Sequence, residues 1–419
     1  MSITKIDDNE DRPLMNTSPI NNQFANRIAN SDPSGLADLF MASSDPKNIS
    51  FAGGYPDTSL FPETDLATSF SQAIANQHQA IFQYTDAKGP LKLREQLITR
   101  HNFNNNGQFD PANILVTQGG QQAIDLISRL FLNTQTGLAL EAPTYMGAIA
   151  AFQAYEPTFY EIPMEEDGLN LTIFENELKK GQATSHKIKL LYTIPDFQNP
   201  TGITMSTPKR QRLAQLAKEY DFYIIEDSPY RELRYHGEPQ PTIQSFDTDD
   251  RVLFVSSFSK ILSPGLRIGY VVGSSKLITQ LAGLKAAVDV QSPTLTLEAL
   301  SYYLEHFNLD AHINQLKVRY QAKLAAMLTA LTIHMPSNLK FTKPSGGFFI
   351  WLEHQDAFDM NDFMQQICLP QAHIVFVPSN GQYPVSNVTN GARLNFSNVS
   401  ILQIQLGIEK LAHLLTTEN

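Results

Sequence analysis

At 419 residues, with 42% hydrophobic and 10% aromatic content, the chain can bury a large core, which excludes a disordered or fibrous class. A formal charge of -11 leaves no cationic excess for phosphate backbones or anionic lipid, so neither nucleic acid nor membrane is an expected partner. The single cysteine, Cys368, fits a reducing compartment, and the polar opening MSITKIDDNEDRPLMN lacks the apolar run of a signal peptide, so a cytoplasmic protein is expected.

Residues 1–30 are rich in Asn, Asp and Ser and read as a polar arm rather than a domain. Short apolar runs follow at 114–116, 138–140, 189–193, 222–225, 252–255 and 268–272, separated by longer helical patterns. That rhythm predicts an α/β fold: a mostly parallel sheet with helices on both faces, whose strands are buried on both sides. Ligands of such a sheet sit beyond the strand ends. A helical stretch near 295–331 comes next, then a segment at 341–352 broken by Gly346-Gly347, which predicts a smaller α+β domain.

Chemistry-bearing residues cluster where the strands end. The first apolar run leads into Thr117-Gln118-Gly119-Gly120-Gln121, a glycine turn opening a helix, and such a turn offers free N–H groups to an anion. Tyr192 begins a run into Asn199-Pro200-Thr201-Gly202, where the Asn199 amide can donate to a ligand oxygen. The run 222–225 ends in Glu226-Asp227, with Tyr230 close behind, placing a carboxylate where a ligand cation could meet it. Ser257, Ser259 and Lys260 lie just past another strand, followed by Arg267 in Gly265-Leu266-Arg267-Ile268-Gly269. A shielded lysine can lose its proton and condense with an aldehyde, while two hydroxyls and a guanidinium suit a phosphate. Alone, each feature is ordinary: a solvated lysine, a simple turn, a helix-capping acid. Their order and spacing together are specific.

In Gly-Gly-Gln-Gln, Asn-Pro-Thr-Gly, Asp-x-x-Tyr, Ser-x-Ser-Lys and Gly-Leu-Arg-x-Gly the chain resembles the fold-type I pyridoxal-phosphate enzymes of the class I/II aminotransferase family, from about Phe51 to the C-terminus. Within that family it is most similar to the branch of 2-aminoadipate, kynurenine and aromatic aminotransferases. The resemblance implies pyridoxal 5'-phosphate as cofactor and transfer of an amino group from an amino acid to a 2-oxo acid in a ping-pong cycle. Lys260 would be the Schiff-base lysine, and Asp227 the partner of the pyridinium nitrogen. Asn199 and Tyr230 would hold the ring's phenolate oxygen, and Tyr145 in Glu141-Ala142-Pro143-Thr144-Tyr145 would stack on the ring. Gly119, Gly120 and Gln121, with Ser257, Ser259 and Arg267, would hold the phosphate. Arg393 would grip the substrate carboxylate as a bidentate pair. Gly54, in the Gly53-Gly54-Tyr55-Pro56 loop, would close over the substrate, and Tyr84 would reach the phosphate of a neighbouring subunit, making a homodimer necessary. No metal is implied.

The implied division is a polar arm at 1–30, a lid-forming segment at 31–60 that joins the small domain, a cofactor domain at 61–305 and a small domain at 306–419. Two departures from the family stand out. Gly120 replaces a hydroxyl residue common in relatives, so one phosphate contact is expected to be missing. Ala37 stands where some relatives carry an arginine for a second carboxylate, which argues against a preference for long dicarboxylates. The same constellation would also serve a carbon–sulfur lyase, and a cofactor-binding sensor without turnover is a third reading, which the complete set of catalytic residues disfavours.

Overall fold

The computed structural model describes residues 41–181 and 186–417, with Ala25 and Arg27 in isolation. The rest of the polar arm, and Ala37, lie outside the described residues. Strand β1 (Ile49–Ser50) precedes a large sheet built from β2 (Ile114–Thr117), β3 (Gly137–Ala142), β4 (Thr158–Glu165), β5 (Gly168–Leu169), β6 (Ile188–Thr193), β7 (Tyr223–Asp227), β8 (Val252–Ser257) and β9 (Gly269–Val272). Its spatial order is β2-β9-β8-β7-β6-β3-β4-β5. The central pairs β4/β3, β3/β6, β6/β7 and β7/β8 are parallel, and antiparallel pairs close both edges.

Side chains alternate across this sheet and fill two separate layers. Leu138, Leu140, Leu190, Tyr192 and Ile225 point into one layer with Ile124 and Ile127 of helix Gly119–Phe131, Phe152 of Met146–Gln153 and Ile278 of Ser275–Asp289. Ala139, Leu191 and Ile224 face the other, against Phe174 of Leu171–Gly181 and Leu213 of Thr207–Tyr220. The apolar runs carry no polar face because both of their faces are covered, as the doubly covered sheet requires. Each fully buried Leu or Ile contributes about 1.5–3 kcal/mol through area removed from water. The strand ends beneath the site are held by that packing.

Beyond the sheet, the helical stretch near 295–331 comprises two helices, Thr294–His306 and Leu309–His334. Asn308 starts the second by accepting from Ala311 N–H through its side chain. A four-stranded antiparallel sheet follows in the order β10-β11-β14-β13, from β10 (Leu339–Phe341), β11 (Phe349–His354), β13 (Val377–Pro378) and β14 (Gly391–Asn395). Strand β12 (Ile374–Val375) pairs in parallel with β1, so the segment near residue 50 reaches across to the C-terminal part. The turn between β10 and β11 packs against the first sheet's loops: a side chain on Gly346 would collide with the Phe197 ring and the Leu233 carbonyl, so only glycine fits that approach.

Candidate active site

The parallel strands β3, β6, β7 and β8 all end at the same edge of the large sheet, and each delivers a polar segment there. These segments surround a cavity of about 350 Å³. Gly54, Gly120, Gln121, Tyr145, Asn199, Asp227, Tyr230, Ser257, Ser259, Lys260, Arg267 and Arg393 all line it, which brings together residues spread over more than 300 positions of sequence. Gly119 is not among the lining residues. Tyr84 lies elsewhere: its side chain is 78% exposed and does not reach the cavity of its own chain.

Lys260 follows β8 and donates from Nζ to the Gly54 carbonyl at 2.7 Å. Burial, with Arg393 and Arg267 nearby, pushes its ammonium pKa down to about 8, against the opposing pull of Asp227. Asp227 ends β7 and is 6% exposed. Burial pushes its carboxyl up to about 6, while a 2.7 Å hydrogen bond donated by Tyr192 Oη and the charge on Lys260 pull it down. Among the described residues Asp227 forms no ion pair.

Arg393, on β14, donates from Nη1 to Asn199 Oδ1 at 2.9 Å and from Nη2 to the Ala52 carbonyl at 2.5 Å. Its Nε is buried without a partner, and its guanidinium lies 4.4 Å from the centre of the Phe349 ring. Burial lowers its pKa to about 10. A buried guanidinium with an unsatisfied N–H is an unfinished anion site.

The helix Gly119–Phe131 starts without a side-chain cap, so its first N–H groups are available to a ligand anion. Gly119 has φ +77°, and a Cβ there would stand 2.7 Å from Arg267 Nη2. The guanidinium thus lies directly over the helix start. Ser257 Oγ donates to Ser259 Oγ at 2.8 Å beside it. A Cβ on Gly120 would meet only Val255, at 3.9 Å, so the missing hydroxyl leaves room rather than filling a steric need. Gln121 Nε2 donates to the Gly147 carbonyl at 2.5 Å and its Oε1 faces Tyr145 Oη at 3.4 Å, which steadies the Tyr145 ring at the cavity wall.

An uncapped helix N-terminus with a guanidinium suits a phosphate, an unpaired carboxylate suits a ring cation, a lysine of lowered pKa suits an aldehyde, and an unfinished guanidinium suits a carboxylate. The residues present therefore fit pyridoxal phosphate together with an amino acid. Some of the site was not marked in the sequence. Tyr192 and Glu141 carry no family motif of their own, yet Glu141 is fully buried and accepts from Thr193 Oγ1 at 2.5 Å, Ile194 N at 3.1 Å and Gln198 Nε2 at 3.2 Å. Burial pushes its carboxyl up to about 7. Phe349, Met146 and Val377 join the wall from three separate elements.

Residues 49–411 match the family model for aminotransferase class I and II. Aromatic-amino-acid aminotransferase 1 of Thermococcus litoralis is 37% identical over 371 residues, covering 88% of this chain and 88% of that protein. The crystal structure of Pyrococcus horikoshii kynurenine aminotransferase superposes with a TM-score of 0.91 at 34% identity, covering 96% of this chain and 98% of that one. Alpha-aminoadipate aminotransferase of Thermus thermophilus, solved with N-(5'-phosphopyridoxyl)-L-leucine, gives a TM-score of 0.87 at 28% identity, with 96% and 99% covered.

Proposed function

The chain belongs to the class I and II aminotransferase family, and on that premise we propose how its cavity carries out transamination. It is a pyridoxal 5'-phosphate-dependent enzyme that moves an amino group from an amino acid to a 2-oxo acid. The observation that carries the assignment of roles is that Lys260, Asp227 and Arg393 face one cavity, the first with a lowered pKa, the second without an ion pair and the third with an unpartnered Nε.

When bound, the cofactor supplies an aromatic ring that accepts the electron pair left when the substrate's Cα–H bond breaks. Lys260 Nζ would hold the cofactor through its aldehyde group, and as a free amine of lowered pKa it would carry the proton taken from the substrate's Cα. Asp227 would keep the ring nitrogen protonated. Asn199 and Tyr230 would hold the ring's phenolate oxygen, and Tyr145 would stack on the ring. The helix start at Gly119, Gly120 and Gln121, with Ser257, Ser259 and Arg267, would hold the phosphate. Arg393 fixes the substrate carboxylate, and Gly54 lies in the loop that shields it from water.

Tyr55, Ile124, Met146, Ile194, Phe349 and Val377 give part of the wall an apolar character that favours an aromatic or aliphatic amino donor. A homodimer, in which the exposed Tyr84 reaches the partner's phosphate site, completes the reading, along with a cytoplasmic setting and a domain division at 61–305 and 306–419. None of the described helices is long and apolar enough to cross a membrane.

The test is a half-reaction screen in which purified holoenzyme is mixed with each amino acid and the visible spectrum of the bound cofactor is followed. Aromatic or aliphatic donors are expected to convert it to the pyridoxamine form, and a 2-oxo acid to restore it. Release of pyruvate and ammonia from cysteine-type substrates without an acceptor would assign a lyase instead. A spectrum that no donor changes would assign a sensor.

A further inference from the structure

Asp227 receives one hydrogen bond among the described residues, from Tyr192, and that residue has no place in the chemistry outlined above. Tyr192 sits on β6, one strand over from Asp227, paired in register with Ile225. Its side chain is fully buried and its ring packs edge-to-face against Phe152 at 5.3 Å between centroids. It is not among the residues that line the cavity. The ring is fixed by the apolar layer, and only its hydroxyl emerges, aimed at Asp227 Oδ2.

The charge on Lys260, after β8, also acts on Asp227, and the Asp227 carboxylate in turn acts on Glu141 at the end of β3, Tyr145 after it and Tyr230 after β7. Glu141 is a second buried carboxyl and works against a second negative charge nearby. Among the described residues Tyr192 is thus the one group that donates to the Asp227 carboxylate, and it does so at Oδ2.

We infer that Tyr192 is a positioning residue of the transamination site, its hydroxyl holding the Asp227 carboxylate in the orientation and charge state that the cofactor's ring nitrogen requires. The inference rests on the reading that Asp227 meets that nitrogen. Tyr192 keeps its proton throughout. Without its donation the carboxylate becomes more basic, draws the shared proton from the ring nitrogen and turns more freely.

The experiment compares Tyr192→Phe, Phe152→Leu and Asp227→Asn as holoenzymes. Each is followed by pH titration of the bound cofactor's absorbance, by cofactor release on dialysis and by steady-state kinetics. For Tyr192→Phe, kcat is expected to fall roughly 10–100-fold with KM within about twofold, the scale of one hydrogen bond to a charged group. The absorbance midpoint should move to higher pH and cofactor release should quicken. Phe152→Leu disturbs the same packing and keeps the hydroxyl, so its midpoint should match the wild type. An unchanged midpoint and kcat in Tyr192→Phe would overturn the inference, as would an equal shift in Phe152→Leu. Should Asp227→Asn itself leave kcat and spectrum unchanged, the role of Asp227 falls and this inference with it. Loss in Asp227→Asn alone removes only Tyr192.

Discussion

Two buried aspartates stand close together in sequence and are treated in opposite ways. Asp196 is 1% exposed and lies among three guanidiniums: Arg210 contacts both its oxygens, at 3.0 and 3.1 Å, Arg231 at 3.0 Å and Arg234 at 3.3 Å. These arginines hold its pKa below the usual carboxylate range in spite of burial. Asp227, buried almost as deeply, has a tyrosine hydroxyl and no cation in contact, and its pKa rises to about 6. One charge is satisfied by the fold. The other has no cation in contact among the described residues, and the role proposed for Asp227 rests on that contrast.

Asp196 also ties together the segments that deliver the site. It leads the loop carrying Asn199, its partner Arg231 follows Tyr230, and Arg234 reaches Phe197 and Ser345 beside the Gly346-Gly347 turn. Replacement by Asn would strand three guanidiniums around a neutral amide. Asp196→Asn is therefore expected to lose about 3–5 kcal/mol of stability in urea titration, because breaking a buried pair leaves uncompensated charge. The molecules that remain folded should keep the wild-type absorbance midpoint. A shifted midpoint with unchanged stability would reverse the contrast.

Arg393 represents the ligand side of the same comparison, a buried cation whose hydrogen-bond acceptors among the described residues are neutral. Arg393→Lys keeps the charge and loses the fork, and kcat/KM is expected to fall by about 2 kcal/mol, roughly 30-fold, from the lost charge-assisted hydrogen bond. Stopped-flow binding of the amino donor would show the loss in affinity. Equal affinity would mean that the carboxylate binds elsewhere. At the small end, Gly120→Ser places a hydroxyl at the helix start, with only Val255 near its Cβ. Stability should change by less than about 0.5 kcal/mol. Retention of the cofactor on dialysis should lengthen, and a shortened retention would show that the phosphate does not sit there.

The sequence made the large sheet legible because its strands are uninterrupted apolar runs, a pattern only doubly covered strands sustain, and the catalytic constellation because strand ends carry its motifs. The break at Asn308 escaped the periodicity, since helices on both sides of it continue similar patterns; the N-capping Asn308 was the available signal. Tyr192 was invisible for a different reason. A tyrosine inside the run at 189–193 reads as one more core residue, and only the register between β6 and β7 aims its hydroxyl at Asp227. The Asp196 network likewise joins residues 14 to 38 positions apart through loop geometry that spacing does not encode. Tyr84 was marked by its motif, yet its exposed side chain does not face the cavity of its own chain.

The most direct test of the contrast is the stability of the apoprotein at pH 7. The raised carboxyl of Asp227 contributes stability that is present below its unfolded pKa near 3.8 and lost as pH rises through about 6, so by pH 7 the apoprotein bears the cost of a buried charge. For Asp196 the sign is opposite: its contribution is present above 3.8 and lost as pH falls through its lowered pKa. Urea titration of cofactor-free Asp227→Asn at pH 7 is expected to show a gain of about 1–3 kcal/mol over the wild type, with the gain vanishing below about pH 4. A loss in Asp227→Asn comparable to that of Asp196→Asn would contradict the account, since it would mean that the fold already satisfies the charge on Asp227.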